Sequence, residues 1–205
     1  MNPLLLTGLA NLWSFRHELC YVSLTFVLIL LLPVLAVATF TNTGFNVISN
    51  KLATVTVNNH TIQIRNPSTG VVTKEITTPT EWPANGVVTL EFGESDLPYQ
   101  PFHTGIDIAG KIGDPITAFM DGKVIYAGEI NWGYGKHIII DNGNNITSLY
   151  GHLSSINVAK GDDVHAGQVI GYEGQTGWAT GPHLHFQVNV FGIPVNPLTF
   201  LPGNP

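Results

Sequence analysis

Short runs in which hydrophobic and polar residues alternate fill the chain from about residue 81 to its end, with Gly, Asn and Asp between them. Such runs are typical of β-strands that bury one face, and the intervening residues favour turns. No twelve-residue stretch of this region has the spacing of an amphipathic helix. We therefore predict an all-β, antiparallel domain with a groove, with strands at residues 87–90, 106–108, 115–119, 122–127, 137–141, 146–150, 168–171 and 184–190.

A smaller β unit is predicted before this domain, in residues 41–80. Residues 55–57 and 62–64 alternate in the same way, and Asn58-Asn59 supplies a turn between them, which indicates a β-hairpin. The unit is too small to bury a core of its own. It is therefore either a stalk or a set of strands that pack on the domain of residues 81–205.

The N-terminal part has a different pattern, because residues 21–40 are almost wholly apolar and carry no charge. As a helix this run is about 30 Å long, which matches the hydrocarbon core of a bilayer. One interpretation is a transmembrane signal anchor that follows a cytoplasmic segment of residues 1–20. The other is a cleaved signal peptide, with Ala36-Val37-Ala38 as the small residues of the cleavage site. We favour the anchor because the run reaches full membrane length and a long segment precedes it.

Charge and cysteine content exclude several classes of protein. The net charge is −6 and no basic run exists, so we expect no nucleic-acid partner. Cys20 is the single cysteine of the chain. It can form neither an internal disulfide nor a thiolate zinc site, so any metal must be held by histidine and carboxylate groups.

The candidate chemistry begins with two histidines that stand one residue apart, His183 and His185. Side chains two residues apart on a strand point to the same face, about 6.6 Å from each other. One imidazole can then hold a metal while the other lies beside the metal-bound water. The alternative is an ordinary pair of histidines on a polar strand face.

A second pair, His103 and Asp107, offers a nitrogen and an oxygen ligand of the types that zinc accepts. In a straight strand the two would lie about 13 Å apart. We therefore predict a bend at Thr104-Gly105, where glycine leaves space. The alternative is a turn with a surface histidine and aspartate. With His185 the pair makes a set of three ligands, which leaves the fourth tetrahedral position for water, as in catalytic zinc sites.

Three separated motifs carry these residues in chain order. They are His103-x-Gly105-x-Asp107, Tyr150-Gly151-His152-Leu153 and Thr180-Gly181-Pro182-His183-Leu184-His185-Phe186. Together they resemble the lysostaphin-like zinc metallopeptidases, peptidase family M23 with its LytM-type domain. The resemblance covers about residues 81–202.

The resemblance implies a fold of two packed antiparallel sheets with the site in a groove. It implies that His103, Asp107 and His185 bind Zn2+ and that His152 and His183 are catalytic. It also implies a substrate, the peptide crosslinks or stem peptides of bacterial peptidoglycan, cut by a metal-activated water. Such an enzyme needs its domain outside the cell. We therefore expect a single-pass membrane protein, or a protein secreted after cleavage near Ala38.

Two other functions remain open at this stage. Some relatives have lost zinc residues and act as wall-binding modules that regulate other cell-wall hydrolases. A domain stabilised by a structural zinc is the other alternative. The complete ligand set and the two additional histidines favour the active peptidase.

Several residues outside these motifs also invite interpretation. We expect His137 to point outward from a strand and His165 to lie on the surface. Tyr150 is a candidate to line the site. The stretch 132–135 and Trp178 either line the groove or pack as ordinary loop residues.

Overall fold

The computed structural model describes residues 21, 23–29, 31, 32, 44, 47, 53–56, 61–66, 68–77, 80–94 and 102–203. The chain divides into two units, residues 1–41 and 42–205. In the first unit, residues 21, 23–29, 31 and 32 are helical. Within the described residues, no helix combines the length and apolar character that a membrane crossing needs. The predicted cytoplasmic segment 1–20 and part of the predicted anchor 21–40, namely residues 22, 30 and 33–40, lie outside the described residues, so the anchor stays a prediction.

The second unit is built from fourteen strands and one short 3-10 turn among the residues described. The strands are β1 (Ala53–Thr56), β2 (Thr61–Arg65), β3 (Val72–Ile76), β4 (Val87–Leu90), β5 (Ile106–Ala109), β6 (Pro115–Thr117), β7 (Gly122–Glu129), β8 (Lys136–Gly143), β9 (Ile146–Gly151), β10 (Ser155–Ile156), β11 (Asp163–Val164), β12 (Val169–Tyr172), β13 (His183–Val190) and β14 (Ile193–Val195). The 3-10 turn is Pro197–Thr199.

Eight of these strands form the main sheet, in the order β11-β7-β8-β9-β13-β5-β4, with β14 paired to β13. A second sheet has the order β10-β12-β6, and every pairing in both sheets is antiparallel. The prediction of a mostly β, antiparallel domain is therefore confirmed. The eight predicted strands are present with shifts of one or two residues at their ends.

β13 is the central strand that separates the core from the site. Leu184, Phe186, Val188 and Val190 alternate along it and are fully buried. Because strand side chains alternate between faces, His183, His185, Gln187 and Asn189 lie on its opposite face. The apolar face joins one hydrophobic core with Ile138 and Ile140 of β8 and with Ile116 and Ile170 of the second sheet.

The predicted hairpin of residues 41–80 is present as β1 and β2, and β3 extends it to a three-stranded sheet. Ile62, Ile64 and Ile76 of this sheet belong to the same hydrophobic core as the larger sheets. β1 also contacts the turn Pro197–Thr199. The domain boundary at residue 80 stays a prediction.

Candidate metal centre and its groove

The three predicted ligands are brought together by the pairing of β5 with β13. Asp107 on β5 lies directly opposite His185 on β13. His103 precedes β5 and turns back toward it through a bend at residues 104–105. Gly105 is required there because a Cβ atom would collide with the carbonyl oxygen of Phe186. The structure has the predicted bend at Thr104-Gly105. The space that the missing side chain of Gly105 leaves is occupied by the backbone of β13.

The candidate ligand atoms form a small triangle. His103 Nε2 lies 2.9 Å from His185 Nδ1 and 3.1 Å from Asp107 Oδ1, and His185 Nδ1 lies 2.9 Å from the same oxygen. Tetrahedral zinc with bonds of about 2.0–2.2 Å sets its ligand atoms about 3.3 Å apart. The residues present therefore fit a metal ion held by two imidazoles and one carboxylate.

Proton placement supports this fit. His103 donates its Nδ1 proton to the carbonyl oxygen of Glu91, 3.2 Å away, so its Nε2 atom carries a lone pair. That lone pair lies beside a carboxylate oxygen and a second imidazole nitrogen, an arrangement that a cation stabilises.

Burial and charge also favour the metal-binding forms of two of these residues, Asp107 and His185. Burial raises the pKa of Asp107, but the hydrogen bonds and positive charge of His103 and His185 lower it more, and the net pKa lies well below its ordinary value. Burial lowers the pKa of His185, and its hydrogen bond with Asp107 opposes that effect only in part. A carboxylate and a neutral imidazole are the forms that bind a metal.

The two remaining histidines stand beside the triangle. The ring centroids of His152 and His183 are 4.7 Å apart, and His183 Nε2 lies 3.6 Å from Asp107 Oδ2. His152 donates its Nδ1 proton to the carbonyl of Thr176 at 2.7 Å, and His183 donates its own to the carbonyl of Gly181 at 2.9 Å. These bonds select the neutral tautomer of each ring that has its proton on Nδ1 and its lone pair on Nε2.

His152 is held in an unusual way. Its backbone has φ = 64°, in the left-handed region, and follows β9 directly. Burial lowers its pKa to about 4, against the Thr176 hydrogen bond, which raises it. His152 is therefore neutral near pH 7. Backbone strain of this kind is found at functional sites more than elsewhere.

Two loops form the rim of a groove of about 440 Å³ above the triangle. Its lining residues are Leu90, Phe102, His103, Thr104, Asp107, Ile130, Trp132, Gly133, Tyr134, His152, Trp178, Thr180, His183 and His185. The structure thus places Trp132, Tyr134 and Trp178 in the groove, one of the two alternatives left open by the sequence. Tyr134 stacks on His185, with ring centroids 5.2 Å apart.

Two expectations about aromatic and imidazole residues were wrong. Tyr150 does not line the groove, because it is fully buried in the core and its hydroxyl accepts a hydrogen bond from the Phe119 amide. His137 does not point outward: it is 6% exposed and stacks on Tyr126 at 4.4 Å. His165 is exposed, as expected. No sequence signal identified Leu90, Phe102 or Ile130 as groove residues, because they lie outside the three motifs and only the tertiary fold brings them to the groove.

The comparisons with known proteins agree with this geometry. Residues 101–197 match peptidase family M23. The catalytic domain of the prophage-encoded M23 protein EnpA from Enterococcus faecalis is similar in structure, with a TM-score of 0.51 and 35% sequence identity over 59% of this chain and 93% of that one. The chain belongs to peptidase family M23.

Two curated relatives differ in their activities. The DD-carboxypeptidase/endopeptidase Mpg of Neisseria meningitidis is 44% identical over 97 residues, which are 47% of this chain and 22% of Mpg. The murein hydrolase activator NlpD of Escherichia coli is 41% identical over 121 residues, which are 59% of this chain and 31% of NlpD. The matches thus span less than a third of either relative's length. Both peptidases and an activator are similar to this chain.

Proposed function

We propose that this protein is a zinc-dependent endopeptidase that hydrolyses peptide crosslinks or stem peptides of bacterial peptidoglycan. The observation that carries the proposal is the preformed triangle of His103 Nε2, Asp107 Oδ1 and His185 Nδ1, with two further imidazoles beside it. A structural zinc site uses four protein ligands, whereas three leave one position open.

His103, Asp107 and His185 would hold the ion. When bound, zinc supplies a water whose pKa is about 7 and polarises a carbonyl group. The three ligand residues are at most 16% exposed, so most of their surface is shielded from bulk water.

His152 and His183 would manage the protons of the reaction. The carbonyls of Thr176 and Gly181 hold the Nδ1 protons, so the Nε2 atom of each ring can accept a proton. An imidazole that has accepted a proton can then donate it to the leaving amine or stabilise a developing oxyanion. We propose that the two histidines share these duties.

The test measures zinc content and release of peptides from purified peptidoglycan by the full chain and its variants. His152→Ala and His183→Ala should reduce turnover by about 100-fold or more, as expected for lost acid–base groups, and keep zinc. Asp107→Ala should lose both zinc and activity. The exposed His165→Ala is the control and should match the wild type in both. Loss of zinc in either His152→Ala or His183→Ala would contradict the division into ligands and proton carriers.

A second candidate function is regulation of other cell-wall hydrolases, and the similarity to NlpD favours it. The same assay separates the two functions. An activator should release no peptide alone but should raise the rate of an added cell-wall amidase, and Asp107→Ala should leave that effect intact.

The proposal includes a location outside the cytoplasm, anchored by residues 21–40. Its support is the uncharged, membrane-length apolar run. An anchored protein should stay in the membrane fraction after an alkaline carbonate wash, and added protease should digest its domain in spheroplasts. Release into the medium with a new N-terminus near residue 39 would instead indicate a cleaved signal peptide.

A further inference from the structure

We propose that Trp132 and Trp178 form an aromatic platform at the rim of the groove that stacks against a sugar ring of the glycan strand carrying the scissile peptide. The inference rests on the proposed peptidoglycan substrate and adds a part of that substrate to the site. The name "tryptophan platform" is used below for these two side chains.

The tryptophan platform is exposed to solvent. Trp132 is 62% exposed and Trp178 is 59% exposed, and their ring centroids are 6.2 Å apart with 51° between the planes. Tryptophan is the side chain with the largest apolar area to remove from water. Two such rings side by side at the rim of a groove are typical of a binding surface.

The platform is held in place by one backbone hydrogen bond between its two loops and one within the first of them. The Trp178 amide donates to the Gly133 carbonyl at 2.8 Å, and the Gly135 amide donates to the Trp132 carbonyl at 3.2 Å. Gly177 allows this approach, because a Cβ atom there would collide with the Gly133 carbonyl. Binding therefore requires little ordering of the loops, which favours affinity.

The platform continues directly into the metal centre. Ile130, Thr180 and Tyr134 line the same groove, and Tyr134 stacks on the metal-ligand candidate His185. One substrate can therefore contact the platform and the ligand triangle together.

The chemistry of the groove favours a sugar ring over a charged part of the peptide. Asp107 is the one charged side chain among the groove's described lining residues, and it belongs to the metal site. Among the described residues that line the groove, no lysine or arginine is present to receive a peptide carboxylate, and the single carboxylate is that of Asp107. A pyranose ring is uncharged and has an apolar C–H face for an indole, while its hydroxyl and acetamido groups reach water at the open rim.

The first experiment measures binding alone. A peptide-free tetramer of N-acetylglucosamine is titrated into the full chain, and the indole N–H resonances are followed by NMR. Saturable shifts are expected for Trp132 and Trp178 and not for Trp82, which is not among the residues that line the groove. Absence of shifts at the platform, with the protein folded, overturns the proposal. This readout does not require peptidase activity, so it remains decisive if no peptide is cleaved.

The second experiment measures cleavage of one stem peptide with and without its attached N-acetylated disaccharide. The wild type should show a kcat/KM about fivefold or more higher for the sugar-bearing substrate, through a lower KM. Trp132→Ala and Trp178→Ala should lower kcat/KM for the sugar-bearing substrate more than for the sugar-free peptide, so that the ratio of the two values falls to about one. Trp178→Phe should retain part of the preference because it keeps a ring.

The control variant is Ile112→Ala, which removes another exposed apolar side chain, 61% exposed, outside the groove. It should keep the full preference. If the tryptophan variants impair both substrates equally, the platform binds the peptide and the proposal is wrong. If the wild type cleaves neither substrate while the tetramer binds, the proposed activity fails and the platform stands.

Discussion

Glu173 is a buried carboxyl group whose pKa is raised by its surroundings. It is 0% exposed and neither oxygen has a hydrogen bond of normal geometry. Burial raises its pKa from 4.5 to about 7; the nearby Gly110 amide opposes this effect, and Asp114 adds to it. A group with a raised pKa binds more protons in the folded state between these two values. The contribution of Glu173 to the free energy of unfolding should therefore fall as the pH rises from 4.5 to about 7, by up to about 3 kcal/mol. The lowered pKa of His152 acts in the opposite direction over part of this range, so the effect of Glu173 is measured as a difference between a variant and the wild type.

The substitution Glu173→Gln should remove this contribution, so that the variant gains stability relative to the wild type as the pH rises and is the more stable protein above pH 7. Urea denaturation at pH 4.5, 6 and 8 measures both effects. The exposed Glu129 gives the matched control, since Glu129→Gln should keep the wild-type slope. An unchanged slope in Glu173→Gln would show that the carboxyl group finds a partner or water in solution.

A second prediction concerns Gly105, between two ligand candidates. In Gly105→Ala the added methyl group meets the Phe186 carbonyl, so the bend must move away from β13. Overpacking of this kind costs about 1–3 kcal/mol. Zinc affinity should fall about 10-fold or more, because His103 moves with the bend.

The control for this variant lies in the third motif. Gly181 has nothing within 4 Å of an added Cβ atom, so Gly181→Ala should change neither stability nor zinc affinity measurably. Zinc affinity is measured with a competing chelator. Equal affinity in the two variants would contradict the claim that the close contact of Gly105 with the Phe186 carbonyl positions His103.

The spacing of the histidines, together with the resemblance of the three motifs to the family, predicted which residues lie close together, but it did not predict which way every ring faces. His183 and His185 share a face because strands alternate. His137 and Ile138 are adjacent in β8, and both are buried, so the middle of the main sheet is covered on both faces. Alternation alone places one of the two in solvent, and the prediction for His137 failed for that reason.

At the scale of elements, the loop between β12 and β13 positions His152. Thr176 in this loop accepts a hydrogen bond from the Lys136 amide and donates one to the Leu153 carbonyl, both at 2.9 Å. Its own carbonyl holds the His152 Nδ1 proton. In Thr176→Val both side-chain hydrogen bonds are lost, and two buried or half-buried backbone groups lose a partner.

We expect Thr176→Val to lower kcat about 10- to 100-fold with zinc content unchanged, because the imidazole of His152 remains but is no longer held in its orientation. Thr176→Ser should restore activity. Thr73→Val is the matched control: its hydroxyl donates to the Ile64 carbonyl in the small sheet, so peptidase activity should not change. Loss of zinc from Thr176→Val would instead mean that the loop supports the ligands.

The longer strands were predictable from alternation, whereas β10, β11 and β14 were not. β10 and β11 have two residues each, which are too few to show an alternation of apolar and polar side chains. β10 pairs with β12 and β11 pairs with β7, and neither partner is adjacent to it in the chain. β14 forms only through its pairing with β13. Such strands depend on tertiary contacts, which local sequence does not encode.

At the scale of the whole molecule, the small sheet of β1–β3 and the domain with the groove share one hydrophobic core. Ile64 is 0% exposed and Ile62 and Ile76 are each 3% exposed, within the core cluster that includes Phe186. Thr80 also donates to the Phe200 carbonyl at 2.6 Å, which fastens the connecting chain to the C-terminal residues. The sequence left open whether this unit is a stalk or packs on the domain, and these contacts favour packing.

The substitution Ile64→Ala should therefore destabilise the groove as well as the small sheet. Removing a buried isoleucine costs about 2–5 kcal/mol in the free energy of unfolding. Unfolding of the full chain in urea, followed by Trp fluorescence and by zinc release, should show one transition that moves to lower urea in both signals. Val71→Ala, at a side chain that is 63% exposed, should shift neither signal by more than about 0.5 kcal/mol. If Ile64→Ala leaves zinc release at the wild-type urea concentration, the small sheet unfolds independently and acts as a stalk.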